Sequence, residues 1–256
     1  LVKLLLNING IDPNVSYTKY FNQIKITTPS LILAIENGND KIVDMLLASQ
    51  KIKPNINKII TYGALARTYQ NNNSDKSRID SKSALQIAFE TNNLIIFEKL
   101  LNNDKIDVNN EIINKDISGK LIKTESKTIL HLAIEMKNKE LYSKLLANRN
   151  DININKPKTI ELSYLNNKYI IDSRTPLYMA INSNSNLNCN EIADDLISND
   201  KININSEIKI CNFVESNIII NEKNIFHLAV EQGNLNLIEK LISTGIVDIN
   251  KNEITK

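Results

Sequence analysis

Apolar residues recur along the chain in groups of four, at positions i, i+1, i+4 and i+5. These spacings lie on one face of a helix with 3.6 residues per turn, so each group predicts an amphipathic helix. The groups are Ile42, Val43, Leu46, Leu47; Ile96, Phe97, Leu100, Leu101; Leu141, Tyr142, Leu145, Leu146; Ile192, Ala193, Leu196, Ile197; and Leu237, Ile238, Leu241, Ile242. The first residues, Leu1, Val2, Leu5 and Leu6, fit the same pattern, so we expect the chain to begin midway through a repeat of a longer protein.

A short apolar segment built around one alanine precedes each of the five groups. Its copies are LAIE at 33–36, IAFE at 87–90, LAIE at 132–135, MAIN at 179–182 and LAVE at 228–231. A small side chain lets two helices pack closely, because a larger one at the crossing would hold them apart. We therefore expect a pair of helices in each unit, packed at Ala34, Ala88, Ala133, Ala180 and Ala229.

Each unit closes with an Ile or Val, a variable residue, an apolar residue or Pro, and an Asn. The six copies are IDPN at 11–14, IKPN at 52–55, IDVN at 106–109, ININ at 152–155, ININ at 202–205 and VDIN at 247–250. The five alanines recur 45 to 54 residues apart. Self-similarity at such a period indicates a repeat architecture.

Two of the segments carry a resemblance to a known family. TPLYMAI at 175–181 and KTILHLAIE at 127–135, each followed by a second helix and a closing Asn, resemble ankyrin repeats. The resemblance covers nearly the whole chain and implies a mainly α repeat solenoid, in which stacked ankyrin helix pairs are joined by long β-hairpin fingers. It also implies a structural role for Thr175 and Pro176. The chain departs from the family pattern at Ile129, where the family prefers Pro, and at Ser83 and Asn224, which replace Thr.

This interpretation predicts a single repeat domain over residues 1–256. It consists of a partial repeat at 1–14 and full repeats at about 28–55, 82–109, 127–155, 174–205 and 223–250. Inserts at 15–27, 56–81, 110–126, 156–173 and 206–222 separate the repeats.

The inserts make these repeats longer than the roughly 33 residues of an ordinary ankyrin repeat. In IELSYLNNKYIID at 160–172, a turn at Asn166 and Asn167 predicts a hairpin. That hairpin would pair Tyr164 with Tyr169 and Leu162 with Ile171, and would place Ile160 on the same face.

Two further segments, 111–124 with its turn near Gly119 and 207–220, predict similar hairpins. Two roles for the hairpins stay open. Neighbouring hairpins can pair into a continuous sheet, since an isolated hairpin is marginal in water, or they can bind a partner through residues such as Tyr164, Asn166, Asn167 and Tyr169. The insert at 56–82 differs, because TYGALARTY predicts a short helix and the polar run QNNNSDKSR predicts disorder.

Both histidines, His131 and His227, occupy the same place in HLAIE and HLAVE. A His near a Glu can hold a metal or transfer a proton. The other repeats, however, have Ile32, Gln86 and Tyr178 at that position, which favours a scaffold role. The ankyrin resemblance implies that such a His bonds to backbone and to the Thr at the start of the first helix.

A recurring acid stands at the end of the first helix in four repeats: Glu36, Glu90, Glu135 and Glu231. The resemblance implies that this position faces a concave groove, where stacked repeats would align the carboxylates into a negative stripe that could bind a partner. The other interpretation is a solvated polar face.

Composition limits the function classes. Lys and Arg number 31 and Asp and Glu 29, a net charge of +2 that does not favour nucleic-acid binding. The two cysteines form no CxxC pair, which suits a reducing, cytoplasmic setting without a zinc site. No apolar run reaches the ~20 residues of a membrane helix, so membrane insertion is not expected.

The sequence contains no Gly-rich phosphate loop, HExxH or GxSxG motif, and we expect neither an enzyme nor a bound metal or cofactor. The first hypothesis is a monomeric, non-catalytic scaffold that binds a protein partner through its groove and hairpin tips. The alternative is a targeting or regulatory array of a larger enzyme or host-directed effector, whose activity lies outside these residues.

Overall fold

The structure is a computed structural model, and it describes residues 16–21, 24–49, 57, 60–66, 76–165, 167–183, 187–214, 217–250 and 254–255. The chain divides into two compact units. The first unit comprises Leu1–Ile122 and Ala147–Ile152, and the second comprises Lys123–Leu146 and Asn153–Lys256. The terminal group Leu1, Val2, Leu5 and Leu6 and the closing residues Asn14 and Asn55 lie outside the described residues.

The first unit alternates hairpins with helix pairs. Its elements are β1 (Ser16–Phe21), β2 (Ile24–Pro29), α1 (Ser30–Glu36), α2 (Asp40–Ala48), β3 (Ile60–Ala66), β4 (Lys76–Lys82), α3 (Ala84–Glu90), α4 (Leu94–Leu101) and β5 (Ile112–Ser118). Strands β1 and β2 form a two-stranded antiparallel sheet. Strand β4 pairs antiparallel with β3 on one side and with β5 on the other, so strands from two successive inserts join in one sheet.

The second unit repeats this order. Its elements are β6 (Leu121–Lys127, most of which belongs to this unit), α5 (Ile129–Glu135), α6 (Lys139–Asn148), β7 (Lys158–Tyr164), β8 (Asn167–Arg174), α7 (Pro176–Ile181), α8 (Leu187–Ile197), β9 (Ile208–Val214), β10 (Asn217–Lys223), α9 (Ile225–Glu231), α10 (Leu235–Ser243) and β11 (Ile254–Thr255). The strands lie side by side in the order β11-β10-β9-β8-β7-β6. Here too, successive hairpins pair with each other, because β8 pairs antiparallel with β9.

The expected mainly α solenoid is therefore wrong. The chain has an α/β fold with a large antiparallel sheet, and nearly as many described residues lie in strands as in helices. The physical reason is that a hairpin on its own leaves a row of backbone N–H and C=O groups unpaired at each edge. Pairing between successive hairpins, one of the two roles that the sequence left open, satisfies those groups and turns the fingers into a sheet.

Local signals explain where each helix pair breaks. The residue two places before the second helix has a positive φ in four repeats, at Gly38, Asn92, Lys137 and Gly233. An Asn then caps the second helix in three of them: its side-chain oxygen accepts from the backbone N–H three residues later, at Asn93, Asn138 and Asn234 over 2.9–3.1 Å. A left-handed residue ends one helix and the Asn cap starts the next, as such residues do generally.

The predicted apolar groups form the core between helices. In the second repeat Ile96, Phe97, Leu100 and Leu101 are all fully buried, and all five alanines of the first helices are buried as well. Ile242 departs from its group, because it is exposed. The longest described helix, α8, has 11 residues, and no described helix combines the length and the apolar character needed to cross a membrane.

Two details of the inserts differ from expectation. The hairpin β7–β8 pairs Tyr164 with Asn167 and Leu162 with Tyr169, a shift of two residues from the predicted pairing, and its pairing is irregular at Ile160. The segment TYGALARTY contributes strand β3 rather than a helix, because its backbone pairs with β4. The predicted turn near Gly119 is confirmed, since Gly119 lies between β5 and β6 with φ 58°.

In the part of the second unit that the structure describes, the closing Asn links one repeat to the next. In the second unit, Asn155 Nδ2 donates to the carbonyl of Lys201 at 2.7 Å, and its Oδ1 accepts from the N–H of Asn203 at 2.8 Å. Asn205 makes the same pair of bonds with Ile246 and Asp248 at 2.7 and 2.8 Å. One amide side chain thus satisfies a backbone donor and a backbone acceptor of the following repeat.

The first unit uses the same link. Asn57, two residues after the predicted closing position Asn55, bonds to the carbonyl of Lys105 and to the N–H of Asp107, both at 2.7 Å. Asn109 donates to the carbonyl of Asp151 at 2.7 Å.

The second position of the closing motif holds the Asn in place. The side-chain oxygen of Asp107 accepts from the N–H of Asn109 at 2.9 Å, and Asn153 and Asn203 do the same for Asn155 and Asn205 at 3.0 and 3.1 Å. Such Asx turns form wherever Asp or Asn stands two residues before the donor. The second residue of the motif therefore shapes the turn, and the fourth residue, the Asn, forms hydrogen bonds with the next repeat.

Arg149 reinforces the first unit at one such junction. Its Nη1 donates to the carbonyls of Leu101 and Asn103, and its Nη2 donates to the carbonyl of Ile106 at 2.8 Å. Its Nε and Nη2 also bond to Asp151. All five donor positions of the guanidinium are thus used, which is why an Arg can be buried here.

We expect Asn155→Ala to lower the free energy of unfolding by about 1–3 kcal/mol, because it removes two hydrogen bonds and leaves their backbone partners to water. Chemical denaturation measures the loss. Asn190→Ala, at an exposed position of α8, is the matched control and is expected to change stability little, since Ala is a good helix former. Equal losses in the two variants would contradict a linking role for Asn155.

Candidate functional site

The acids at the ends of the first helices lie beside lysines. Glu90, Glu135 and Glu231 form ion pairs with Lys82, Lys127 and Lys223, at 2.5, 2.6 and 2.7 Å. Each Lys ends the strand before the helix, eight residues ahead of its Glu, and stands next to the residue that caps the helix. The strand runs directly into the helix, so the Lys and the Glu stand at opposite ends of one short helix. Their long side chains bridge its length. Three of the four carboxylates of the proposed negative stripe are thus already paired with cations.

The pair at Glu135 extends into a cluster of four charges in the second unit. Lys158 contacts both Glu135 and Glu125, at 2.6 and 2.5 Å, while Lys127 contacts Glu135 at 2.6 Å and Glu125 at 3.9 Å. The four side chains are half-buried. The alternating signs leave the cluster close to neutral.

This cluster shifts the pKa values of Glu135 and Lys158. Burial alone would raise the pKa of Glu135, but hydrogen bonds from Lys127 and Lys158 hold it below its usual value. Burial would lower the pKa of Lys158, and the carboxylates of Glu125 and Glu135 raise it instead. Each charge therefore stabilises the charged form of its neighbour.

The two histidines cap their own helices. Nδ1 of His131 accepts from the backbone N–H of Thr128 at 3.0 Å and lies 2.9 Å from its Oγ1. Nδ1 of His227 accepts from the N–H of Asn224 at 3.1 Å, while the N–H of His227 donates to Asn224 Oδ1 at 3.0 Å. Burial lowers the pKa of His131 to about 4, so the ring is neutral near pH 7. His131 thus makes the backbone and Thr contacts that the ankyrin resemblance implied, whereas Asn224 takes the place of the Thr beside His227.

The other motif residues lie at the same helix starts. Thr175 caps α7, its Oγ1 accepting from the N–H of Tyr178 at 3.2 Å, and Pro176 is the first residue of that helix. Ser83 caps α3 in the same way through the N–H of Gln86. Pro suits this place because its missing N–H would have no partner inside the helix.

The end of hairpin β7–β8 exposes several large apolar side chains. Tyr164 and Tyr169 are 51% and 58% exposed, and Leu165 and Ile170 are also more than half exposed. Both tyrosines lie on one face of the hairpin, because Leu162, two residues before Tyr164, is opposite Tyr169. Asn167 is exposed opposite Tyr164, and Asn166 lies outside the described residues.

The fourth repeat breaks the Lys–Glu pattern. Arg174 stands where three other repeats have Lys, next to the helix cap Thr175, and Asn182 stands where the other four repeats have Glu. Arg174 Nη2 donates to Asp172 Oδ2 at 2.7 Å, and the guanidinium carbon lies 5.8 Å from the ring centre of Tyr178. Arg174 Nε is buried and meets no hydrogen-bond acceptor among the described residues.

Arg174 and Asn182 line an open cavity of about 200 Å³ in the second unit. Glu135, Lys137, Lys158, Tyr178 and Ser183 also line it, together with apolar side chains. A larger cleft of about 330 Å³ lies beside α8 and α10, but its two charged side chains, Asp194 and Lys240, bond to each other. Of these two cavities, the smaller one is lined by a guanidinium that keeps N–H groups unbonded among the described residues, together with Lys137 and Lys158.

Within the residues that the structure describes, no three His, Cys, Asp or Glu side chains are placed to hold a metal ion. Cys189 is a buried free thiol on α8.

No protein-family model matches the chain, and the search of curated proteins finds no match either. The likeness to ankyrin repeats thus rests on the chain's own residues.

The site residues differ in how visible they are in the sequence. The sequence analysis did not identify the Lys partners of the motif Glu residues. Lys82, Lys127 and Lys223 nevertheless each stand eight residues before a motif Glu. The periodic comparison of aligned repeats would have found them. Lys158 shows no such fixed spacing in the sequence, because its contact with Glu135 depends on where the sheet places strand β7.

We expect His131 to titrate with a midpoint near pH 4 in the folded protein and near its ordinary value in urea, as followed by NMR of the imidazole. Because the folded pKa is lowered, the stability held by neutral His131 is complete above about pH 6.5. It is lost as the pH falls toward 4, by on the order of 3 kcal/mol. His131→Gln, which copies Gln86 of the second repeat, should lack this acid-dependent loss. An equal loss in both proteins would contradict the assignment.

We expect Glu135→Gln to lower the free energy of unfolding by about 1–3 kcal/mol near neutral pH, because Lys127 and Lys158 lose a shared partner. The folded pKa of Glu135 is lowered, so its contribution is complete above about pH 4.5 and disappears as the pH falls below that. Denaturation near pH 7 and near pH 3 measures both effects. Glu140→Gln, which breaks an exposed pair with Lys144, is the control and should change stability little.

Proposed function

We propose that the chain is a non-catalytic protein of the ankyrin-repeat kind that binds a protein partner, and that the end of hairpin β7–β8 is a principal contact surface. The observation that carries this proposal is the exposure of Tyr164, Leu165, Tyr169 and Ile170 together at one hairpin end. Large apolar side chains gathered on a surface mark interaction sites, and Tyr is enriched among the residues that dominate binding energy.

The sheet supports this role mechanically. Hairpin β7–β8 pairs with β9 at Asp172 and Ser173, close to its base, so the base is held in the sheet while its far end stays exposed. A contact surface on a fixed base loses little conformational entropy on binding. The two tyrosines also share one face, which lets one partner contact both.

The Lys–Glu pairs change what the rest of the surface offers. Because Glu90, Glu135 and Glu231 are paired, they contribute less negative potential than free carboxylates would. We therefore assign the energetic part of binding to the apolar hairpin end and to the cavity at Arg174. The proposed setting is the cytoplasm, where the buried thiol of Cys189 stays reduced.

The test is affinity capture from a lysate of the parent organism with the whole chain, comparing it with the double variant Tyr164→Ser and Tyr169→Ser. We expect at least one protein that the unmodified chain retains to be lost from the double variant, because the apolar contact is removed. Circular dichroism establishes that both proteins are folded.

Tyr17→Ser is the matched control, since Tyr17 is a 57% exposed strand tyrosine in the first unit. It is expected to retain the same proteins as the unmodified chain. Retention by all three proteins, or loss from both variants alike, would show that the hairpin end is not the contact surface.

A further inference from the structure

The fourth repeat departs from the repeat pattern at two positions. In three repeats the Lys before the helix cap pairs with the Glu that ends the helix, as Lys223 does with Glu231. In the fourth repeat the same two positions hold Arg174 and Asn182. The cation is kept and the carboxylate at the end of the helix is replaced by an uncharged amide, so that Arg174 pairs instead with Asp172, two residues before it, through Nη2 at 2.7 Å.

The Arg174 guanidinium has donors to spare. Its one hydrogen bond in the described part of the chain is from Nη2 to Asp172, and its Nε is buried without an acceptor. The Arg174 side chain as a whole is 36% exposed, so an acceptor can approach the guanidinium donors that Asp172 leaves free. Arg149 shows the contrasting case, because hydrogen bonds occupy all of its donor positions.

The charges around the cavity also favour an anion. Lys137 and Arg174 line it, together with Lys158 and Glu135, whose charges largely cancel within their cluster with Lys127 and Glu125. Asp172 takes up one face of Arg174. Asn182 can donate to an incoming oxygen through its amide, and its side chain is exposed.

We propose that this cavity binds a carboxylate of the protein partner, which takes the place that the motif Glu occupies in the other repeats. The carboxylate accepts from the guanidinium of Arg174, a pairing whose planar geometry can be bidentate. The inference rests on the proposed function, since it names the chemical group of the partner that the second unit recognises. A partner's carboxylate can belong to an Asp or Glu side chain or to a chain terminus.

The experiment uses the whole chain, labelled with ¹⁵N, and three small peptides. Acetyl-Gly-Glu-Gly-amide offers a side-chain carboxylate, acetyl-Gly-Gly-Gly offers a terminal carboxylate, and acetyl-Gly-Gln-Gly-amide offers neither. The Nε–H signal of each arginine is followed by two-dimensional NMR, and Arg174→Lys identifies the signal of Arg174 by its loss.

We expect a saturable shift of the Arg174 signal with at least one carboxylate peptide and none with the Gln peptide. Whichever carboxylate peptide gives the tighter saturation identifies the source. The Arg149 signal is the internal control and stays in place, because its donors are already bonded. Equal shifts with the Gln peptide, or no shift of the Arg174 signal, would overturn the proposal.

Two variants separate the site from general charge effects. Asn182→Glu restores the acid of the other repeats, so the introduced carboxylate occupies Arg174 from within and abolishes the peptide shift. Asn182→Gln keeps the position neutral and retains the shift. Thermal unfolding checks that both are folded, and Asn182→Glu is expected to be at least as stable as the unmodified chain. Retained peptide binding in folded Asn182→Glu would also overturn the proposal.

The outcome is distinguishable from failure of the proposed function. If the peptides leave Arg174 unmoved while the tyrosine variants still lose a captured protein, the chain binds a partner but not through this cavity. If the peptides bind and the tyrosine variants lose nothing, the cavity stands as a carboxylate site and the hairpin end is not the contact surface.

Discussion

Within each unit, the side-chain amide of the closing Asn fixes how one repeat is aligned with the next, and the rest of the repeat packing depends on that alignment. Asn155 reaches a carbonyl and an N–H of the next repeat, at Lys201 and Asn203, and only one alignment of the two backbones satisfies both of its atoms. Within a repeat, the helices and strands lie at nearly constant numbers of residues from the closing Asn. A single bidentate bond therefore aligns the helices for packing and the strands for pairing at the same time.

The sequence predicted these elements unevenly. The groups such as Ile96, Phe97, Leu100 and Leu101 located the helix pairs, because burial on one face imposes a period that composition bias cannot hide. The closing motif was visible as a sequence pattern, but its hydrogen bonds were not. The two backbone partners of Asn155 lie 46 and 48 residues further along the chain. Long-range backbone contacts leave no local trace in the sequence.

The sheet was the larger error, and its cause is instructive. Each insert predicts a hairpin by itself. The local sequence does not indicate, however, whether the edge of β8 faces solvent or pairs with β9. The predicted register of β7–β8 was also wrong, because β7 ends at Tyr164 and β8 already begins at Asn167, one residue earlier than the predicted turn at Asn166 and Asn167 required. Moving a turn by one residue changes every pairing along the hairpin by two. At the candidate site, the Glu residues were found and their Lys partners missed, since only one of each pair belongs to the family-like motif.

The closing Asn residues also tie the fold to the chemical ageing of the chain. The Nδ2 of Asn205 donates to the carbonyl of Ile246, and only an amide can donate there. Deamidation would put a carboxylate oxygen against that carbonyl oxygen, replacing an attraction by a repulsion at the junction. The following residue is Ser206, whose small side chain hinders attack on the amide little. Deamidation of one such side chain would therefore loosen one repeat from the next without breaking the backbone.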